Sequence, residues 1–152
     1  IEKLTSRQRT NTVITAHPGE MARLLDCTVE EVESNRVSTA LSASEEFGCV
    51  VCLKGAPTVT ASPDGRAFLN TTGNPVLAQG GTGDLLAGII GAHLAYGLPA
   101  LEAAAGGAYL HGLAADLATA PRGSGAHEIA ELVPIAYRQA VGKNTRLKYL
   151  ES

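Results

Sequence analysis

The apolar positions of this chain change period repeatedly along its length, and each change marks an element. Residues 12–16, a β-branched run, read as a strand. Pro18 then suits the first position of a short helix over residues 18–25, where a missing N–H costs nothing. Thr28 and Glu31 have the spacing of a capping box and open a longer helix. In it Val29, Val32, Val37, Ala40, Leu41 and Phe47 fall loosely on one face, and Gly48 ends it. Residues 49–53 are apolar without alternation, the pattern of a strand covered on both faces. Residues 59–61 and 66–69 flank the turn Ser62-Pro63-Asp64-Gly65 and predict a hairpin. A polar, glycine-dense loop over residues 70–83 leads into a helix from Asp84 to about Tyr96, closed by Gly97. The next helix runs from Leu98-Pro99 to about Ala118. Its surface is made small by Ala103, Ala104, Ala105, Gly106, Gly107 and Ala108, which predicts deep burial. A flexible loop over residues 120–125, an amphipathic helix over 127–140 and a frayed polar tail complete the chain.

Strand, helix, strand, hairpin, helix, helix is the order of an α/β fold with a mainly parallel sheet. Only two strands fit a parallel core, so the order also predicts that further strands precede residue 1. Length and composition, 152 residues with 45% hydrophobic and 18% charged, fit one globular domain or part of one. The net charge of −3 gives no basic field for nucleic acid or an acidic membrane, and no apolar run approaches a membrane span. The three cysteines and the absence of a signal-like apolar segment fit a reducing cytoplasm. Cys49 and Cys52 form a C-x-x-C, but within a strand they point to opposite faces and no second ligand pair accompanies them. They read as core side chains, and no metal-ligand cluster is expected.

The chemistry concentrates in three places that an α/β fold brings to the carboxyl ends of its strands: His17 to Glu20, Lys54 to Thr58, and Gly80 to Asp84. Gly80, Gly81 and Gly83 let the backbone approach a ligand, and the helix start that follows suits a phosphate. Asp84 at that positive end is either a helix-capping residue or a base that takes a proton from an attacking hydroxyl. Lys54 offers a point charge for a nucleotide phosphate. His17 offers a donor to a substrate oxygen. Asn74 offers an amide for a phosphate oxygen or a magnesium-bound water. Each has a plain structural alternative, and their joint placement favours the functional one. His93, His111 and His127 have no ligand spacing and read as structural. A Walker motif is absent, and Leu86 stands where a dinucleotide fingerprint needs its third glycine.

The combination of His17-Pro18-Gly19-Glu20-Met21, Leu53-Lys54-Gly55-Ala56, Thr72-Gly73-Asn74-Pro75 and Gly80-Gly81-Thr82-Gly83-Asp84-Leu85-Leu86-Ala87-Gly88, with Tyr109-Leu110-His111-Gly112, resembles the ADP- or ATP-dependent NAD(P)H-hydrate dehydratases of the ribokinase-like superfamily. The likeness runs from Val13 to Tyr137. It implies a three-layer α/β/α fold, of which residues 1–152 would be a single partial domain lacking its N-terminal portion. It also implies a repair reaction in the cytoplasm. A nucleotide phosphoryl group passes to the ring hydroxyl of hydrated NADH or NADPH, and loss of phosphate restores the double bond. Asp84 would be the base, and Gly81, Thr82 and Gly83 the anion hole. Lys54, Gly55, Ala56, Pro57, Thr58 and Gly83 would bind ADP or ATP with Mg2+. His17 and Asp84 would contact the hydrated dinucleotide, with Asn74 beside them. Members of the family commonly form homo-oligomers. Ala16 and Val76-Leu77 depart from residues common in the family. The alternatives are a small-alcohol kinase of the same superfamily, of the hydroxymethyl-pyrimidine or hydroxyethyl-thiazole type, and a non-catalytic nucleotide-binding fragment.

Overall fold

The computed structural model describes residues 10–118 and 125–148. In chain order the elements are β1 (Val13–Ala16), α1 (Pro18–Leu24), α2 (Val29–Ser34), α3 (Arg36–Phe47), β2 (Val50–Leu53), β3 (Thr58–Ala61), β4 (Ala67–Asn70), a 3-10 turn (Pro75–Ala78), α4 (Thr82–Ala95), α5 (Ala100–Asp116) and α6 (Ala126–Lys148). All but the last residue of the loop expected over 120–125 lies outside the described residues. None of the described helices is long and apolar enough to cross a membrane.

The four strands form one sheet in the order β1-β2-β3-β4. β1 and β2 run parallel, while β2–β3 and β3–β4 are antiparallel. The sheet is therefore mixed where the element order predicted a mainly parallel one, because the hairpin contributes two of the three strand pairings. Side-chain alternation along β2 divides the core. Val51 and Leu53 join Met21, Val32, Ala40 and Phe47 under α1–α3, whereas Val50 and Cys52 meet Leu86, Ile90, Leu101 and Ala104 under α4 and α5. Both faces of the sheet are covered, as the unbroken apolar run of β2 required. Cys49 packs in the first cluster and Cys52 in the second, which leaves them no shared ligand. Burial pushes the Cys52 thiol up to about 11, against a hydrogen bond with Thr60 and the charge of Lys54, so it stays protonated.

Two helix expectations change. The helix predicted through residues 28–47 breaks at Asn35, whose φ of −138° and ψ of 48° leave the helical region. Ser34 and Asn35 hydrogen-bond locally, Ser34 Oγ donating to the Glu31 carbonyl at 3.0 Å and Asn35 Nδ2 to Ser34 Oγ at 3.2 Å. Such side chains compete with the backbone and interrupt a helix. The last helix continues beyond residue 140, to Lys148, with Pro134 inside it.

α5 is the most buried helix and the tightest contact in the molecule. A Cβ on Gly112 would lie 2.6 Å from the carbonyl carbon and oxygen of Thr72, and one on Gly107 would lie 2.7 Å from Ile90 Cγ1. We expect Gly112→Ala to lower stability by about 1–3 kcal/mol, the usual penalty of overpacking. Gly88→Ala, whose Cβ would meet nothing within 4 Å, is expected to raise it by about 0.5–1 kcal/mol through helix propensity. Urea denaturation of the two variants checks the pair, and an equal response from both would contradict the packing argument.

Candidate phosphate and nucleotide site

The first wall of the site is the end of β2. The loop that follows is held by a residue from α3 that sequence reasoning did not single out. Arg36 Nη2 donates to the carbonyls of Leu53 at 3.2 Å, Lys54 at 3.0 Å and Pro57 at 3.0 Å, while Nη1 donates to Glu33 at 2.9 Å. Gly55 has φ of +150°, and a Cβ there would fall 2.8 Å from the guanidinium carbon, so glycine is required twice over. Thr58 closes the loop by donating from Oγ1 to the Gly55 carbonyl at 3.1 Å. The break at Asn35 makes Arg36 the first residue of α3, and this is how the guanidinium comes to serve the loop.

The second wall is the start of α1. His17 is its N-cap: Nδ1 accepts from Glu20 N–H at 3.2 Å, and the His17 N–H donates to Glu20 Oε2 at 2.7 Å. With Nδ1 accepting, a neutral His17 carries its proton on Nε2. The hydrogen bond from the His17 backbone holds the Glu20 carboxyl below its ordinary range against partial desolvation, with Lys54 and the His17 ring adding to the lowering. Glu20 Oε2 also lies 3.4 Å from Lys54 Nζ, tying the two walls together.

The third wall is the glycine loop. Asn74 caps the 3-10 turn, its Oδ1 accepting from Val76 N–H at 3.0 Å. Its Nδ2 donates to the Ala115 carbonyl at 2.8 Å and to Asp116 Oδ1 at 3.3 Å, so both amide hydrogens are spent on the fold. Asp116 accepts from Gly73 N–H at 2.9 Å as well. Thr82 is buried, and its Oγ1 is directed at the carbonyls of Leu77 at 2.7 Å and Gln79 at 2.8 Å. Gly81, with φ of +87°, is the N-cap of α4 and supplies no side-chain cap. Among the described residues the first-turn amides of Thr82, Gly83 and Asp84 have no partner, and the positive end of the helix lies behind them. Lys54 Nζ lies 3.4 Å from where a Gly83 Cβ would be.

These walls enclose a cleft of about 780 Å³. Of the residues expected from sequence, His17, Lys54, Gly55, Ala56, Pro57, Thr58, Asn74, Thr82 and Gly83 line it, while Gly81 and Asp84 are exposed and outside its lining. Asp84 has no hydrogen-bond or ion-pair partner among the described residues. His111, expected to be merely structural, also lines the cleft. It is 6% exposed, and its Nε2 has no partner among the described residues. Burial holds the imidazole below its ordinary value; the Thr82 backbone opposes that shift and the Lys54 charge adds to it. His93 is structural as expected, Nδ1 lying 3.1 Å from the Ala103 carbonyl, and His127 sits on the surface beside Glu131. Among the described residues no three His, Cys, Asp or Glu side chains gather to hold a metal.

Residues 1–135 match the family model described as NAD(P)H-hydrate dehydratase. The chain belongs to that family. It is 46% identical over 127 residues to the ADP-dependent (S)-NAD(P)H-hydrate dehydratase of Neisseria meningitidis serogroup B, covering 83% of this chain and 43% of that protein. Against the bifunctional NAD(P)H-hydrate repair enzyme Nnr of Thermofilum pendens it is 48% identical over 118 residues, 78% of this chain and 22% of that one. It superposes, with a TM-score of 0.80 at 37% identity, on the crystal structure of the Bacillus subtilis ADP/ATP-dependent NAD(P)H-hydrate dehydratase co-crystallised with ATP/Mg2+ and soaked with CoA. That match covers 84% of this chain and 48% of the other. The ribokinase-like α/β fold is thus established for this member of the dehydratase family, and the chain spans half or less of the relatives it matches.

Replacing Arg36 with Lys removes the planar fork that serves three carbonyls. The expected loss is about 1–3 kcal/mol, with faster hydrogen exchange at the Gly55 and Thr58 amides than elsewhere in the sheet. Unchanged exchange there would contradict the assignment. For Glu20 the sign follows from its lowered carboxyl. Its stabilisation is fully present above the ordinary value of 4.5 and is lost as pH falls through the lower folded value. The stability difference between the wild type and Glu20→Gln, followed by denaturation at a series of pH values, should therefore shrink towards zero in acid.

Proposed function

We propose that this chain carries the phosphoryl-handling and nucleotide-binding part of a nucleotide-dependent NAD(P)H-hydrate dehydratase, as one part of a single ribokinase-like domain. The observation that carries the proposal is the arrangement at the start of α4: open amides of Thr82, Gly83 and Asp84, the Lys54 ammonium over Gly83, and an unengaged Asp84 carboxylate in the same turn. Fixed donors of this kind stabilise charge on a phosphoryl group in flight without reorganising. The donors come from rigid parts of the fold, since Lys54 follows a strand clamped by Arg36 and the amides belong to a helix.

In this reading the Lys54 to Thr58 loop receives the adenine nucleotide, and Leu69, Leu77 and Leu86 give the cleft apolar area for a planar ring. Asp84 takes the proton from the ring hydroxyl of NADH or NADPH hydrate. The hydroxyl oxygen then bonds to the terminal phosphorus of ADP or ATP while the bond to the leaving nucleotide breaks. Departure of inorganic phosphate, with a proton from the neighbouring ring carbon, restores the double bond. His17 lines the cleft on the substrate side, its Nε2 lying 3.4 Å from Glu20 Oε1. Asn74, with its amide hydrogens committed to Ala115 and Asp116, shapes the wall and retains only a carbonyl lone pair for a ligand. Magnesium bound to the nucleotide phosphates would supply further charge neutralisation.

The assay is recovery of nicotinamide absorbance from NADH hydrate in the presence of ADP or ATP. Asp84→Asn should reduce the rate by about 10²–10⁴-fold, the range for loss of a general base, while nucleotide affinity stays within a few-fold. Full activity in Asp84→Asn would remove Asp84 from the mechanism. Accumulation of a stable phosphorylated product would identify a kinase instead, and nucleotide binding without turnover would favour the non-catalytic fragment.

A further inference from the structure

Arg36 is absent from the lining of the cleft, yet one wall takes its shape from it. Its side chain is only 11% exposed. Nη2 donates to the carbonyls of Leu53, Lys54 and Pro57, Nε adds a bond to Pro57 at 3.3 Å, and Nη1 is held by Glu33. The guanidinium thus faces main chain and Glu33 rather than the cleft. Little else fixes the loop. Among the described residues, the hydrogen bonds that hold residues 55–57 are those to Arg36 and the exchange between Gly55 and Thr58. Gly55 has more backbone freedom than any other residue type would have there. Without its clamp the loop has many conformations open to it, and a ligand would have to order them on binding.

Lys54 is fastened separately. Its N–H donates to the Ala16 carbonyl at 2.7 Å, and its ammonium lies 3.4 Å from Glu20. Among the described residues Arg36 has no hydrogen bond to the start of α4. The groups that would handle the phosphoryl therefore keep their anchors when Arg36 is changed, while residues 55–57 lose theirs.

We propose that Arg36 is a positioning residue for the adenine nucleotide. Acting through the main chain of residues 53–57, it sets nucleotide affinity and leaves phosphoryl transfer to Lys54 and the α4 N-terminus. The proposal rests on the functional reading given above and adds to it a residue that touches no ligand. Positive charge alone does not suffice for this role. A lysine ammonium carries its hydrogens on one atom and cannot span separate carbonyls and a carboxylate as the planar fork does.

The test uses the 152-residue chain with its Arg36→Lys and Glu33→Gln variants. ADP binding is measured by calorimetry, and nucleotide KM and kcat by recovery of nicotinamide absorbance from NADH hydrate. Arg36→Lys should raise the ADP Kd and the nucleotide KM by about tenfold, with kcat and the KM for NADH hydrate within about threefold of the wild type. Glu33→Gln leaves the three carbonyl bonds in place and should bind ADP within about twofold of the wild type. A merely destabilised fold would instead lower kcat and the number of ADP sites per chain while leaving Kd and KM alone, and that result would overturn the inference. Wild-type affinity in Arg36→Lys would also overturn it and leave the functional reading standing. A wild-type chain that binds no ADP would overturn both. Should Arg36→Lys fail to fold, the ligand-free wild type decides. Its Gly55 and Ala56 amides should have order parameters of about 0.85, as in rigid backbone, and values below about 0.6 would overturn the inference.

Discussion

The distance at which α5 lies from its neighbours controls both the core and the site. This helix touches α4, α6, the 3-10 turn and all four strands. It gets that close because its contact positions carry alanine and glycine: Gly107 against Ile90, Gly112 against the Thr72 backbone. Dispersion contacts fall off steeply with separation, so an added methyl group there would cost contacts along the whole helix. The same approach places the Tyr109 and Ala115 carbonyls and the Asp116 carboxylate where Thr72, Asn74 and Gly73 bond to them. The glycine loop buries Val76 in the same cluster as Leu110 and Leu113 of α5. Its position follows from α5, and with it the third wall of the cleft and the His111 ring.

The facing wall is organised by charge. Arg36 is confined under the β2 loop by three carbonyls and Glu33, so its charge is consumed in holding main chain. Lys54 is in the opposite situation. Its partner among the described residues, Glu20, lies 3.4 Å away in a partly exposed pair, an interaction of the kind worth about 0–1 kcal/mol. Glu20 in turn is held mainly by the His17 backbone rather than by Lys54. Moving the ammonium towards an anion over α4 therefore gives up little, and Glu20 keeps its place as a capping residue when the lysine leaves.

The fold was legible where a local pattern had a single structural meaning. The unbroken apolar run of β2, the turn Ser62-Pro63-Asp64-Gly65 and the Thr28–Glu31 capping box each fixed one element, and Gly48 and Gly97 ended helices with positive φ. The break at Asn35 was hidden because the apolar residues before and after it stay compatible with one continuous face. Arg36 was hidden for a different reason: its partners are main-chain carbonyls about twenty residues away, and carbonyls leave no mark in a sequence. Asp116 drew no notice in the sequence, since its role depends on a loop brought to it by tertiary packing. Within the site, the three convergent segments were readable from strand ends and glycines. The division of labour inside them, such as the commitment of the Asn74 amide to α5, was not.

One comparison within the molecule bears on Asp84. α1, α2 and α6 each begin with an acid at the third helical position, and in each the carboxylate folds back onto the N-cap backbone. Glu20 accepts from His17 at 2.7 Å, Glu31 from Thr28 at 2.8 Å and Glu128 from Gly125 at 3.0 Å. Each such bond occupies the N-cap amide and folds the carboxylate over the helix start. α4 also has an acid in that position, yet Asp84, one methylene shorter, makes no such bond, and Gly81 caps nothing with its side chain. The other members of its motif are spent on structure: Thr82 on the carbonyls of Leu77 and Gln79, Gly81 on a left-handed turn, Gly83 on the approach of Lys54. A carboxylate at a helix N-terminus gains from the dipole wherever it points, so its presence alone says little. An uncapped helix start beside a carboxylate that does not close it is the arrangement that leaves both the amides and the base open to a phosphoryl group and the hydroxyl attacking it.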